Sequence, residues 1–358
     1  MNAEKRLGIL WLTNLPAPYR FPIWSHIARS ADLRVVFLLK RKNWRNWPEP
    51  KNTNWQHFYL SFHSLRFKEY DLIPSFRGGK KLLKNIDIAI IGGWEAPFYI
   101  RTILLAKKRN IPTIQFYESF DGSHRFKSGL IARLRKWILT KPDKYVVIST
   151  QSAQALIDMG ISQSKILTLF NPVDVRWFND FANQNRDLKK IGHQFITVGQ
   201  FIERKNLENI VRAFSEIRSL NDTLTIAGEG PLEKDLINLV ELLGLSKSVI
   251  FVGQKNREDL AKLYASSKTL ILASTNEVWG LVVNEALACG LHVVVSEYSG
   301  VFNFIKSMEA VYACNSEIAS IARSMAESRM KWIGPIKTPK ILEFGPERFA
   351  DELVTLFL

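Results

Sequence analysis

Short apolar runs alternate with stretches of helical periodicity along almost the whole chain, which is the pattern of a parallel sheet flanked by helices. In the first half the runs predict strands at Leu7–Leu12, Val35–Leu39, Ile88–Ile91, Thr113–Tyr117 and Tyr145–Ile148, with Ile166–Phe170 near its end. In the second half they predict strands at Phe195–Val198, Thr223–Ala227, Val249–Val252, Thr269–Leu272 and His292–Val295, then Val311–Ala313. Two such sets imply two doubly wound α/β domains. The polar stretch Asn171–Lys190, with a proline at its second position, is the expected linker. Near the end Pro335 and Pro339 interrupt the pattern, and Pro346-Glu347 opens an amphipathic segment in which Phe349, Leu353 and Leu356 share one helical face.

A chain of 358 residues is long enough for two domains with proper cores, and 46% hydrophobic with 23% charged residues is ordinary for a globular protein. Cys289 and Cys314 offer neither a disulfide framework nor metal-ligand spacing, and both are expected to be buried thiols of a reducing cytosol. No apolar run approaches the roughly 18 residues of a membrane span. Lys5-Arg6 followed by L-G-I-L-W-L resembles the start of a signal peptide. The apolar core is short and meets Thr13-Asn14 without a cleavage-like site, so a first buried strand is expected instead. The net charge of +15 is unevenly placed: residues 1–172 hold 28 Lys/Arg against 11 Asp/Glu, and residues 173–358 hold 21 against 23. A first half at +17 and a second at −2 predict that one domain faces an anionic partner and the other does not.

The densest chemistry lies in E-V-W-G-L-V-V-N-E-A-L-A-C-G, Glu277 to Gly290. On one continuous helix the two carboxylates, eight positions apart, would stand about 80° apart around the axis. Trp279-Gly280 reads better as a break where a loop feeds a helix, with Glu277 on the loop and Glu285 on the first turns. That arrangement gathers two hydrogen-bond acceptors, which suit sugar hydroxyls, and a helix N-terminus, which suits phosphate. A pair of solvated helix glutamates is the plain alternative.

In this setting the E-x7-E pair closely resembles the signature of glycosyltransferase family 4, retaining enzymes of the GT-B fold. The resemblance implies an α/β architecture of two Rossmann-like doubly wound domains facing a cleft, with the C-terminal helix crossing back to the N-terminal domain. On that reading residues 1–172 plus about 340–358 form an acceptor- and membrane-facing domain, and residues 173–339 bind the nucleotide-sugar donor. A terminal helix that stays with the second domain is the alternative for the chain's end.

Further motifs carry the resemblance. V-G-Q-F-I-E-R-K-N, Val198 to Asn206, is similar to the family's G-R-x-x-x-x-K-[GN] loop, which grips the donor diphosphate. Gly199 and Lys205 match, Gln200 stands where an arginine is usual, and Arg204 sits beside the lysine. Glutamine lacks a bidentate guanidinium contact, so either Arg204 swings in or Lys205 carries more of the charge. T-I-A-G-E-G-P-L, Thr225 to Leu232, is similar to the family's G-x-G-P turn, where Gly228 and Gly230 allow close backbone approach at the sheet's C-terminal edge; a plain tight turn would look the same. F-V-G-Q-K, Phe251 to Lys255, with Gly253 and Lys255, stands where the family holds the nucleotide base. The resemblance assigns Lys205, Arg204 and the helix after Gly280, with Leu281 and Val282, to the charge of the leaving diphosphate. It assigns Glu285 to the ribose and Glu277 to a donor-sugar hydroxyl. The chain holds no D-x-D; no metal and no cofactor are expected beyond a UDP- or GDP-linked sugar as donor.

The first half departs further from the family. T-N-L-P-A-P-Y-R-F-P, Thr13 to Pro22, replaces a Gly-rich loop, and Tyr19 and Arg20 are candidates for reaching a phosphate. After Thr113–Tyr117, where relatives often place a histidine near the transferred sugar, stand Glu118, Asp121 and His124. Basic clusters at Lys40–Lys42, Arg77–Lys84 and Arg125–Trp137, in the last of which Arg133, Arg135, Lys136 and Trp137 mix with Leu130, Ile131 and Leu134, suit a helix lying on an anionic bilayer; a merely solvated basic surface is the alternative. Trp44, Trp47, Trp55, Phe58 and Phe62 add interface aromatics.

Together these features predict a retaining, metal-independent glycosyltransferase, peripheral to the cytoplasmic face of the cell membrane. It would move sugar to a glycan or lipid-linked acceptor in cell-envelope polysaccharide assembly. A nucleotide-sugar 2-epimerase of the same fold is one alternative. A basic nucleic-acid-binding protein, in keeping with a pI near 9.7, is the alternative of another class. No recognition motif accompanies the charge, so nucleic acid is not an expected partner.

Overall fold

Consecutive apolar positions bury both faces of a strand, so the runs can only sit in a sheet covered by helices on each side. The computed structural model describes residues 6–39, 49–60, 65–67, 70–72, 79–120, 128–189 and 192–356. They form two units, residues 1–169 with 346–358 and residues 170–345.

The first unit holds β1 (Leu7–Thr13), β2 (Ala31–Phe37), β3 (Gln56–Tyr59), the short pair β4 (Leu65–Phe67) and β5 (Tyr70–Leu72), then β6 (Ile88–Ile91), β7 (Thr113–Tyr117), β8 (Lys144–Val147) and β9 (Ile166–Thr168). Seven of them make a parallel sheet in the order β3-β2-β1-β6-β7-β8-β9, while β4 and β5 pair antiparallel. β2 begins four residues before its apolar run, because Ala31 and Leu33 are buried and alternate with exposed Asp32. β3 has no apolar run to announce it. Trp55, just before it, is only 4% exposed and packs on Trp24 at 5.1 Å and on Phe21 at 5.9 Å, so it is a core residue rather than an interface aromatic. Phe58 remains exposed, and Trp44, Trp47 and Phe62 lie outside the described residues. Helix Pro346–Val354 belongs to this unit: Phe349 and Leu353 are buried, Phe349 lies 6.2 Å from Phe116, and His26 Nε2 lies 2.9 Å from Asp351 Oδ1.

The second unit holds β10 (Gln194–Val198), β11 (Thr223–Ala227), β12 (Val249–Gly253), β13 (Thr269–Leu272), β14 (His292–Ser296) and β15 (Val311–Cys314). Its order, β12-β11-β10-β13-β14-β15, is the doubly wound one, and the direction of winding reverses between β10 and β13. Helix Leu207–Ile217 shows why the helices cover this sheet: Leu207, Ile210, Val211 and Phe214 recur at three- and four-residue spacing and all are buried. At the opposite end of the strands from the C-terminal loops, buried Asp222 accepts from His193 N at 2.7 Å and from Arg329 Nη1 at 2.7 Å. The His193 ring is buried with Nε2 2.7 Å from Thr269 Oγ1, whose oxygen is 2.7 Å from Ser328 Oγ.

Burial pushes His193 down from 6.5 to about 3, so it stays neutral in the folded unit and takes a proton when unfolded. Its contribution to stability is therefore present above about pH 6.5 and is lost as pH falls towards 3. Glu285, whose carboxyl is raised to about 7, acts in the opposite sense between about 7 and 4.5, so the two effects must be separated by mutation. Urea denaturation across that range should show that His193→Gln removes an acid-side loss on the order of 3 kcal/mol by about pH 4. Parallel curves for the parent and the variant would refute this origin.

Candidate donor site

The loops that follow β10 and β13 leave the sheet side by side, at the point where open α/β sheets leave a crevice beyond their strand ends. Residues 199–206 follow β10, and residues 273–280 follow β13. Lys205 folds back over Gly199, where a β-carbon would come 3.3 Å from Lys205 Cε. Its Nζ donates a short hydrogen bond to Glu277 Oε2. The same oxygen accepts from Arg204 Nη1 at 3.1 Å and from Ser274 Oγ at 3.3 Å. Thr275 N donates to Arg204 O at 2.9 Å, and Asn206, left-handed at φ 58°, donates from Nδ2 to Ala273 O at 3.1 Å. The two loops are thus fastened by charge and by backbone. Burial lowers the Lys205 amine and the Glu277 carboxylate opposes that shift, while the Arg204 side chain remains 44% exposed.

Gly280 breaks the chain as its position predicts. Its φ is +102°, and a β-carbon there would meet Leu272 Cδ2 at 2.6 Å, so neither backbone nor space admits a side chain. Helix Leu281–Ala288 starts at this point, with Leu281 and Val282 half-buried on its first turn. Glu277 stays on the loop, tied to Ser299 in a parallel bridge and through Gly300 N to Glu277 O at 3.0 Å. Trp279 is buried against Phe170 at 4.9 Å and Phe304 at 5.2 Å. Glu285 lies on the second turn and accepts from Tyr264 OH at 2.9 Å. Its surface is half-buried but its carboxyl end is enclosed, and that burial pushes it up to about 7 against the opposing pull of Tyr264 and Arg257.

The glycine turn is explained by packing. A β-carbon at Gly228 would lie 1.9 Å from Gly199 O, and one at Gly230 would lie 2.6 Å from Phe201 O. These glycines let the turn after β11 press against the backbone of the loop after β10, an intramolecular reason for the G-x-G spacing. Gly253, at φ +66°, has open space where a side chain would go, and Lys255 and Gln200 are exposed.

In the first unit Arg20 is buried, donates from Nη2 to Glu118 Oε1 at 2.5 Å, and stacks on Phe116 with Cζ 4.5 Å from the ring; Tyr19 lies 5.7 Å from the same atom. Arg20 and Glu118 are therefore one unit of structure rather than two separate candidates. Asp121 and His124 lie outside the described residues, as do Lys40–Lys42 and Arg125. Helix Gly129–Leu139 exposes Leu130, Ile131, Leu134 and Trp137 beside exposed Arg133 and Lys136. Arg135 does not join them: it is 7% exposed and turns inward, its guanidinium 5.7 Å from the Trp94 ring, because it falls on the same face as buried Ile138 and Leu139.

Five residues were not foreseen. Asn14 donates from Nδ2 to Glu95 Oε1 at 2.9 Å and accepts from Tyr99 OH at 2.8 Å, after the two strands, β1 and β6, between which the first sheet reverses. Their place just beyond predicted strands was the available signal. Tyr264 and Arg257 bear on Glu285 from a neighbouring helix, and only a polar tip in an otherwise apolar helical face marks Tyr264 in the sequence.

Residues 179–328 match the family described as Glycosyl transferases group 1, and residues 25–177 match Glycosyltransferase Family 4. An uncharacterized glycosyltransferase of Methanocaldococcus jannaschii is 37% identical over 110 residues, 30% of this chain and 28% of the relative. The N-acetyl-alpha-D-glucosaminyl L-malate synthase of Bacillus anthracis is 27% identical over 199 residues, 48% of this chain and 52% of that enzyme. The chain thus spans about half or less of the length of these curated relatives. Among solved structures, Anabaena HepE in complex with UDP superposes with a TM-score of 0.73 at 14% identity, covering 98% of this chain and 99% of that one, which bears on the fold alone. With two GT-B-type parallel sheets and both halves of the chain matched, the protein belongs to glycosyltransferase family 4.

Proposed function

We propose that the chain transfers a sugar from a nucleotide-sugar, UDP- or GDP-linked, to a glycan or lipid-linked acceptor, with retention of configuration and without a metal. One observation carries this reading: two cations, Arg204 and Lys205, converge on Glu277 beyond the C-terminal ends of β10 and β13, and Glu285 follows on the helix that starts after Gly280. As the bond from the sugar to the diphosphate breaks, negative charge grows on the leaving group, and fixed cations in a partly enclosed site stabilise it. Arg204, paired with Glu277 and 44% exposed, would replace the arginine missing at Gln200 by turning towards a phosphate. Glu277 would exchange cation partners for a sugar hydroxyl, and Glu285 would accept from the ribose. Retention is to be read from the anomeric signal of the product.

A role at the inner face of a membrane, in envelope polysaccharide assembly, belongs to the same proposal. No helix among the described residues is long and apolar enough to cross a bilayer. Helix Gly129–Leu139 instead offers Leu130, 82% exposed, with Ile131, Leu134 and Trp137, flanked by Arg133 and Lys136. Apolar side chains rimmed by cations suit an anionic lipid surface.

A thermal-shift screen of UDP- and GDP-sugars should find a ligand that raises the melting temperature of the parent but not of Glu285→Ala. A panel with no stabilising nucleotide-sugar would contradict the donor reading.

Arg204→Ala should weaken donor binding about ten- to a hundredfold, and adding Gln200→Arg should recover part of that. Unchanged affinity in Arg204→Ala would leave the diphosphate to Lys205 alone.

Arg133→Glu with Lys136→Glu should release the protein from anionic liposomes at low salt while the donor thermal shift persists, each basic residue contributing about 1 kcal/mol. Equal sedimentation of parent and variant with liposomes would remove the membrane assignment.

A further inference from the structure

Helix Arg257–Ala265 lies beside Glu285 and uses both its ends on it. Arg257 and Tyr264 are seven residues apart, which returns them to within about 20° of the same face. Between them on that side lies the buried Ala261. Asn256 caps the helix, accepting from Asp259 N at 2.9 Å. Arg257 is held in place by its stack on Trp177, with Cζ 3.9 Å from the ring, and by its pair with Asp174 at 3.0 Å. Tyr264 is fully buried, with its ring edge-on to Phe178 at 6.3 Å. Its hydroxyl meets Glu285 Oε2 at 2.9 Å, across from one helix to the next. A buried hydroxyl needs a partner, and a carboxylate in the same enclosure needs a donor, so the contact satisfies both.

We infer that Tyr264 is a positioning residue for donor binding, its hydroxyl orienting the Glu285 carboxylate for the donor's ribose hydroxyls. The inference rests on the donor reading above. Phenylalanine would fill the same space, so the hydroxyl, rather than the ring, is what the role requires. Burial and the adjacent carboxylate push the Tyr264 phenol well above its ordinary range, so it remains the donor and Glu285 the acceptor. The groups around Glu285 are Tyr264 and Arg257 from this helix and the Cys289 thiol at the end of its own. Helix Val175–Asn185, packed on the same side, brings Asp174 at its cap, Arg176 and Asp180. The turn Lys340–Glu343 brings Lys340 and Glu343, and β14 brings His292, which is engaged by Ser328. Of these, Tyr264 and then Arg257 hold the Glu285 carboxyl down against its burial.

Tyr264→Phe tests the role. It should raise the donor Kd about tenfold, with kcat for the transferred sugar changed by less than about threefold. In carbon-13 spectra of the glutamate carboxyls, the resonance missing from Glu285→Gln should titrate near 7 in the parent and at higher pH in Tyr264→Phe. Arg257→Gln, at a partly exposed side chain, should move the same titration upward and serves if Tyr264→Phe does not fold. In a Glu285→Gln background the tyrosine substitution should cost no further affinity. An unmoved titration with parental donor affinity overturns the inference, and so does an equal loss in the Glu285→Gln background, which would mark a structural effect. The titration needs no donor: if it shifts while the parent binds no nucleotide-sugar, the contact stands and it is the donor reading that falls.

Discussion

A lysine amine that is nearly buried has to be met by a carboxylate, and in this protein the Lys205–Glu277 pair fastens together the two loops at the C-terminal edge of the second sheet. The two residues come from the loops after β10 and β13, the strands where the sheet reverses. Their pairing, with Ser274 and Arg204 on the same oxygen, draws together loops that are more than 70 residues apart in sequence. Without it, a buried cation would stand without its carboxylate.

The second carboxylate has the opposite environment. Glu277 sits among cations; Glu285 sits on a helix, enclosed, with a phenol as hydrogen-bond donor and an arginine acting by charge. Gly280 is what separates them. Its left-handed backbone ends the loop and starts the helix in one step, so that residues eight apart in sequence face different surroundings. Two glutamates of one motif thereby differ in environment, Glu277 paired with cations and Glu285 accepting from a phenol.

Much of this was legible in the residues. Consecutive buried positions located nearly every strand, because a parallel sheet leaves no polar face to blur the signal: Ile88–Ile91, Thr113–Tyr117 and Thr269–Leu272 fall where the pattern puts them. β3 escaped because an edge strand needs only half a buried face, and Gln56–Tyr59 mixes exposed and half-buried positions. Arg135 was misplaced because a basic residue in a basic segment looks solvated whichever way the helix turns it. The donor motif was readable since its residues are local to two loops. The Tyr264–Glu285 contact was not, because no spacing in the chain specifies which helices will touch.

On the proposed reading, the loops after β10 and β13 hold a nucleoside diphosphate. A crystal structure determined after soaking with UDP, and in parallel with GDP, tests it most directly. Density is expected for the phosphates at Arg204 and Lys205, with the ribose hydroxyls on Glu285 and the Glu277 carboxylate released from at least one cation. A nucleotide bound elsewhere on the chain, or at this site with its ribose away from Glu285, would contradict it.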